Sequence, residues 1–261
     1  MRLSYIYISA IMTALDLLRR KIVILLLFVI PTVFYTVTRL TSGLRELPFK
    51  LASLSEDTFL LIPERHIALI FIGLASVGIL SSFLSMNLIQ RNSATNRRLI
   101  VCGYKTSELA ISKLSVMFGI VVLVGFYIAL LLLVFFSPHY FGRVALGFIL
   151  VGFVYGSYGL LIGAVIKGEL EGILLITLLA NIDVGWLQNP LFYAGAMNQS
   201  IIKGLPAFYP SQVSIISAFS DYNVGRAVFG STAYGCALLF VALFIYWLKM
   251  RSSRKSKSSF I

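Results

Sequence analysis

Apolar residues fall in six long blocks along this chain: 22–40, 67–90, 114–136, 144–166, a fifth starting at 172, and 227–248. A hydrocarbon layer about 30 Å thick is crossed by roughly 20 apolar residues in an α-helix. Five blocks are long enough to span unaided. The fifth is different, because Asp183 and its neighbours Asn181, Trp186, Gln188, Asn189 and Pro190 interrupt the apolar pattern before a crossing is complete. The pattern predicts an all-α membrane protein with six transmembrane helices. It forms one membrane domain over 1–261, with a connecting segment at 1–21, a core at 22–248 and a basic tail at 249–261.

Two shorter patterns lie outside the blocks. In 2–20, Arg2, Ser9, Thr13, Asp16 and Arg20 share one helical face while Leu3, Tyr7, Ala14 and Leu18 share another. This predicts an amphipathic helix lying in the membrane interface, with a plain extension of the first span as the other reading. Arg19, Arg20 and Lys21 would sit at the bend near lipid phosphates. Between the fifth and sixth blocks, semi-apolar pieces are separated by Gly204, Pro206 and Pro210. They are too short to span and predict short interfacial or re-entrant helices.

Composition agrees with the pattern. Apolar residues make up 59% of the chain and charged ones 12%, against about 25% charged in soluble domains. The net charge of +12 therefore points to basic loops beside anionic lipid rather than to nucleic acid. Fifteen of the 22 Lys and Arg fall before span one, in the loops after spans two and four, and in the tail; seven fall in the other three loops. The richer side is predicted cytoplasmic, with both termini inside. Twenty-one residues precede the first block and no Ala-x-Ala pattern follows it, which argues against a cleaved signal peptide. Cys102 and Cys236 lie in a basic loop and in the last span, so no disulfide between them is expected.

The loop after span two reads RNSATNRRLIVCGYKTSELAISK. Thr95 is placed to cap a short helix that Gly103 ends. Thr106 or Ser107 is placed to cap the helix leading into span three, with Glu108 near its positive end. The result is a short helix, a glycine turn and a re-entry helix, able to pass a push from a partner to two spans. The competing reading is a basic loop that only enforces topology.

The order of amphipathic helix, span, outer loop, span, basic loop with Arg97-Arg98-Leu99, then Gly103-Tyr-Lys-Thr-Ser-Glu-Leu with Lys113 opening span three, resembles the permease subunit of ABC-2-type transporters. The resemblance extends over the whole chain. It implies that 2–20 is a connecting helix and that about 95–102 is a coupling helix docking on a separate cytosolic ABC ATPase. It also implies two short re-entrant helices at the outer face and pairing with a second permease subunit, as homodimer or heterodimer. ATP and Mg would belong to the ATPase subunit, and this chain would bind no cofactor. Arg97, Arg98, Leu99, Gly103, Glu108 and Glu169 are the coupling candidates. The expected location is a bacterial or archaeal cell membrane.

Span four carries Gly152, Gly156, Gly159 and Gly163 at i, i+4, i+7 and i+11, a face suited to close helix packing. Span two has a similar stripe at Gly73, Ser76, Ser81 and Ser85, whose serines can bond back to their own helix. Asp183 should lie about two-thirds of the way out, counting ~1.5 Å per residue from Gly172. Either it lines or gates an exit path, together with Asn181, Asn189, Pro206 and Pro210, or the helix has already reached the outer interface there. Asn198-Gln199-Ser200 matches a glycosylation sequon on the predicted outer side.

No catalytic constellation is expected. Ser157 has no histidine placed to act as its base, since His66 and His139 both fall at outer positions. Two histidines and two dispersed cysteines do not make a metalloprotease. Gly163-AVIK-Gly168 has Walker A glycine spacing, but Glu169 stands where lysine must hold phosphate. The alternatives to an ATPase-driven exporter are a secondary transporter or channel, and a membrane module that anchors or regulates a partner.

Overall fold

The computed structural model describes residues 3–50, 59–91, 98–100, 102–189, 192–193 and 196–258. Helices α1 (Leu3–Leu18) and α2 (Lys21–Thr41) are followed by strands β1 (Glu46–Lys50) and β2 (Phe59–Pro63). Then come α3 (Glu64–Gln90), α4 (Thr106–Phe135), α5 (Phe141–Val165) and α6 (Glu169–Ala180), which continues as a π-helical segment (Asn181–Leu187). Two short helices, α7 (Gln199–Lys203) and α8 (Phe208–Phe219), precede the last helix, α9 (Gly225–Ser258).

Six of these elements are long and apolar enough to cross a membrane: α2, α3, α4, α5, Glu169–Leu187, and Gly225–Lys249 of α9. The protein is a multi-pass helical membrane protein, and six crossings bring its two ends to one side, the terminal face. The observed helices contain the expected apolar blocks to within a residue or two at most ends, because a span is set by how much apolar sequence the bilayer requires. The fifth block departs from expectation. Asp183 does not break it; the helix loosens to π winding, with Gln188 N–H donating to Asp183 O at 3.0 Å, and the run reaches 19 residues.

Helix α5 is the centre of the bundle. Its span is 78% buried, against 12% for α2, and it packs mainly on α3, α9, α8 and α4. α8 is buried along most of its length, yet its 12 residues reach only ~18 Å, too short to cross. Pro210 lies in its first turn, where a missing N–H costs little. On the periphery Leu123, Phe229 and Phe240 are each more than 70% exposed, the surface that lipid tails would cover. The loop after α2 also forms an antiparallel two-stranded hairpin, with Glu46 opposite Pro63 and Lys50 opposite Phe59. Its strands lack the alternating pattern that would have marked them.

Candidate functional site

On the terminal face, helix ends are tied to each other by side chains. The stretch from Arg98 ends in a Schellman motif: Gly103 has a left-handed φ of +94°, Gly103 N–H donates to Ile100 O at 3.1 Å and Tyr104 N–H to Leu99 O at 3.0 Å. Only glycine adopts this φ without strain, so Gly103 ends the short helix as expected. Arg97 and the proposed Thr95 cap lie outside the described residues; Arg98 is exposed and Leu99 half-buried. Tyr104 then stacks on Tyr5 of α1, with centroids 4.6 Å apart, and Ser9 meets Ser112 of α4 at 3.0 Å.

The start of α4 is a correction. Thr106 is its first helical residue and Lys105 occupies the N-cap position, with neither Thr106 nor Ser107 acting as cap. Glu108, buried in the first turn, accepts the Lys105 N–H at 3.1 Å. A carboxylate at that position satisfies an orphan donor and complements the helix dipole. Lys113, counted in the sequence as a loop charge, is buried and donates to Leu88 O in the last turn of α3 at 2.6 Å. It also lies 5.5 Å from the Tyr246 ring.

The two loops of this face are joined. Arg91 pairs with Glu169 at 2.9 Å, and Gln90 Nε2 donates to Ile166 O at 3.1 Å. Lys249 donates to Val165 O at 3.1 Å, so the carbonyl end of α5 is capped from α9. The structure thus brings Leu99, Gly103, Glu108 and Glu169 into one layer spanning α1, α3, α4 and α6.

Midway along α5, at the inner end of α8, the centre of a second cluster is Asp183, which is fully enclosed. Its carboxylate accepts from Tyr155 Oη of α5, from Gln188 Nε2 and from the Ala207 N–H, each at 2.8 Å. Three donors around an acceptor-only group suit an ionised carboxylate, and Ala207 is the N-cap residue of α8, where negative charge is favoured. Asp183 therefore faces protein, neither an open passage nor the outer surface of this chain. Pro206, buried, immediately precedes Ala207. Asn181 instead points outward and donates to Thr177 O at 2.9 Å, and Asn189 sits half-buried in the turn after the π segment. Asn198 is exposed before α7. Tyr155 and Ala207 had no signal in the sequence, lying 28 and 24 positions from Asp183.

The four glycines of α5 run from the level of Asp183 toward the terminal face. A methyl group at Gly159 would overlap the Ser82 carbonyl, and one at Gly163 would come within 2.9 Å of Met86 O. Gly152 and Gly156 pack on Ser81 and Ser85 of α3 and on Val121 of α4. The serine stripe of α3 is thus part of a close helix crossing: Ser76 bonds back to Ile72 O at 2.7 Å and Ser82, missed in the sequence, donates to Tyr155 O at 2.7 Å.

The chain matches no model of a known protein family, and no curated protein matches it significantly.

Proposed function

We propose that this chain is the permease subunit of an ABC exporter of the ABC-2 type, moving or flipping a substrate outward with ATP hydrolysed by a separate subunit. The observation that carries the reading is the terminal-face layer. A short helix ended by Gly103 is tied through Tyr104 to α1, through Glu108 and Lys113 to the α3–α4 pair, and through Arg91–Glu169 to α6. A loop needed only to enforce topology has no use for a Schellman turn, a capped re-entry helix and a buried lysine. An ATPase pressing on this layer would move several membrane helices at once.

In this reading Arg97 and Arg98 contact the ATPase, the richer basic side is cytoplasmic, and a second permease subunit completes the pathway. The Asp183 node ties the middle of α5, the π segment and the inner end of α8 and would act as the gate toward the outer side, since π turns recur at functional positions. The cell membrane would be bacterial or archaeal. Affinity purification of the tagged chain from its native membrane tests the proposal. An ABC ATPase is expected to co-purify, and Arg97→Glu with Arg98→Glu to weaken its retention. Ion conduction by the purified chain alone in liposomes would overturn the proposal in favour of a channel.

A further inference from the structure

A second feature, inside the terminal-side half of the bundle, is independent of the transport reading. Near the bend between α1 and α2 a cavity of about 300 Å³ opens between α2 and α4. That volume is at the lower end of ligand sites, roughly 300–1,000 Å³. Leu18 lies at its α1 end, Ile24 and Leu27 form one wall, Ile120 and Leu123 the other, and Leu84 of α3 closes it from the core. The crevice exists because α2 leans mainly on α3 and meets α4 closely only farther along. There Tyr127 Oη donates to Phe28 O at 3.2 Å and lies 3.2 Å from Thr32 Oγ1. Counting ~1.5 Å per residue from Lys21 to Phe28, the crevice descends about 10 Å before that contact closes it.

Its lining is hydrocarbon, but its mouth is cationic. Leu17 and Leu18 of the lining lead directly into Arg19, Arg20 and Lys21. Arg20 is committed to Asp16 at 3.2 Å. Arg19 and Lys21 are exposed and make no side-chain hydrogen bond or ion pair among the described residues. A half-open apolar slot with two free cations at one end matches a molecule with a tail and an anionic head, oriented along the membrane normal.

We propose that the α2–α4 crevice binds one anionic phospholipid, with an acyl chain between Leu27 and Leu123 and the phosphate at Arg19 and Lys21. Such a lipid would fill the gap beside the least buried span and hold α1 and α2 against α4. A neutral lipid would gain only the tail contacts, so the preference for an anionic head measures the cationic mouth separately from the slot.

The test is native mass spectrometry of the purified full-length protein, titrated with phosphatidylglycerol or phosphatidylcholine of identical acyl chains. Two basic groups near the surface correspond to roughly thirtyfold tighter retention of one phosphatidylglycerol. Arg19→Ala with Lys21→Ala is expected to reduce that preference to near unity. Leu123→Trp, at a position already exposed and so sparing the fold, is expected to lower retention of both lipids by narrowing the slot; Leu27→Trp repeats the test from the other wall. Equal retention of the two lipids by the unaltered protein overturns the proposal. So does a preference that survives loss of both cations, or retention unchanged by either tryptophan.

Discussion

Removing the Asp183 carboxylate separates the structural and functional sides of the node. Asp183→Ala strands three buried donors: the Tyr155 hydroxyl, the Gln188 amide and the Ala207 N–H. In water-soluble cores each stranded group would cost ~1–3 kcal/mol. Within membranes the measured values are lower, ~0.6 on average and ~1.7 at most, because the unfolded chain also finds partners. Three bonds then give a loss of about 2–5 kcal/mol. Asp183→Asn has a different outcome. Its amide oxygen takes the position of Oδ2 and accepts from Tyr155 and Ala207. Its NH₂ would face the Gln188 NH₂, but Gln188 Oε1 has no partner, so turning that amide over restores the bond while giving up the longer one from Nε2 to Ile202 O at 3.5 Å. The remaining loss is the charge assistance and that longer bond, about 1–2 kcal/mol. Unfolding in mixed micelles followed by helical circular dichroism measures both values, and Trp186 in the π segment gives a local fluorescence signal. Asp183→Asn should therefore fold and, if the node gates the path, transport poorly. An Asp183→Ala protein as stable as the original refutes the node. Equal destabilisation by Asn and Ala refutes the amide-turning argument, and unaltered transport by the Asn variant removes Asp183 from the gate.

Other substitutions test the packing and the clasps. Gly159→Ala drives a methyl into the Ser82 carbonyl and should cost ~1–3 kcal/mol. Gly119→Ala, with open space around it, should be neutral or stabilise by up to ~1 kcal/mol through helix propensity; chemical unfolding of the two variants compares them. Arg91→Glu should weaken ATPase retention and Glu169→Arg in the same chain should restore it, while stability, for an exposed pair, changes by no more than ~1 kcal/mol. On the opposite face, hydrogen bonds from the Tyr140 hydroxyl and His139 hold Asp221 below the usual carboxylate range. Its folded value is lowered, so its contribution is present above the unfolded value of ~3.9 and lost as pH falls through the lower folded value. The melting difference between the original and Asp221→Asn should be constant near neutrality and shrink only in that acidic window.

What could be read from the sequence divides by range. The spans were legible because the bilayer imposes a length and a composition on each crossing. The glycine face of α5 was legible because i, i+4, i+7, i+11 spacing is a property of one helix. Gly103 was legible because a Schellman turn is local. The oddity of Asp183 could be seen, but its meaning depended on Tyr155 and Ala207, placed beside it only by the packing of α5 and α8. Lys113 was counted as one more loop charge, since nothing local says that its stem runs inward to the end of α3. The start of α4 misled because hydroxyls are the favoured caps, yet the helix begins at Thr106 itself, with Glu108 at its third position accepting the Lys105 N–H. The paired strands Glu46–Lys50 and Phe59–Pro63 show no alternation, and Pro48 is a residue type that strands disfavour.

The close crossing of α3 and α5 joins the terminal face to the Asp183 node in the middle of the bundle. At Gly159 and Gly163 the helices meet backbone to backbone, with no flexible side chain between them to absorb a displacement. Ser82, at the same crossing, donates to the carbonyl of Tyr155, and the hydroxyl of that same tyrosine holds Asp183. One end of this paired strut is fixed on the terminal face by Lys113 at Leu88 and by Lys249 at Val165. A shift of the α3 end by an ångström cannot be taken up by rotamer changes along the crossing, because packed interiors yield by discrete repacking rather than by continuous deformation. In the proposed transport cycle it would be carried to Tyr155, and there act on the Asp183 carboxylate that joins α5 to α8.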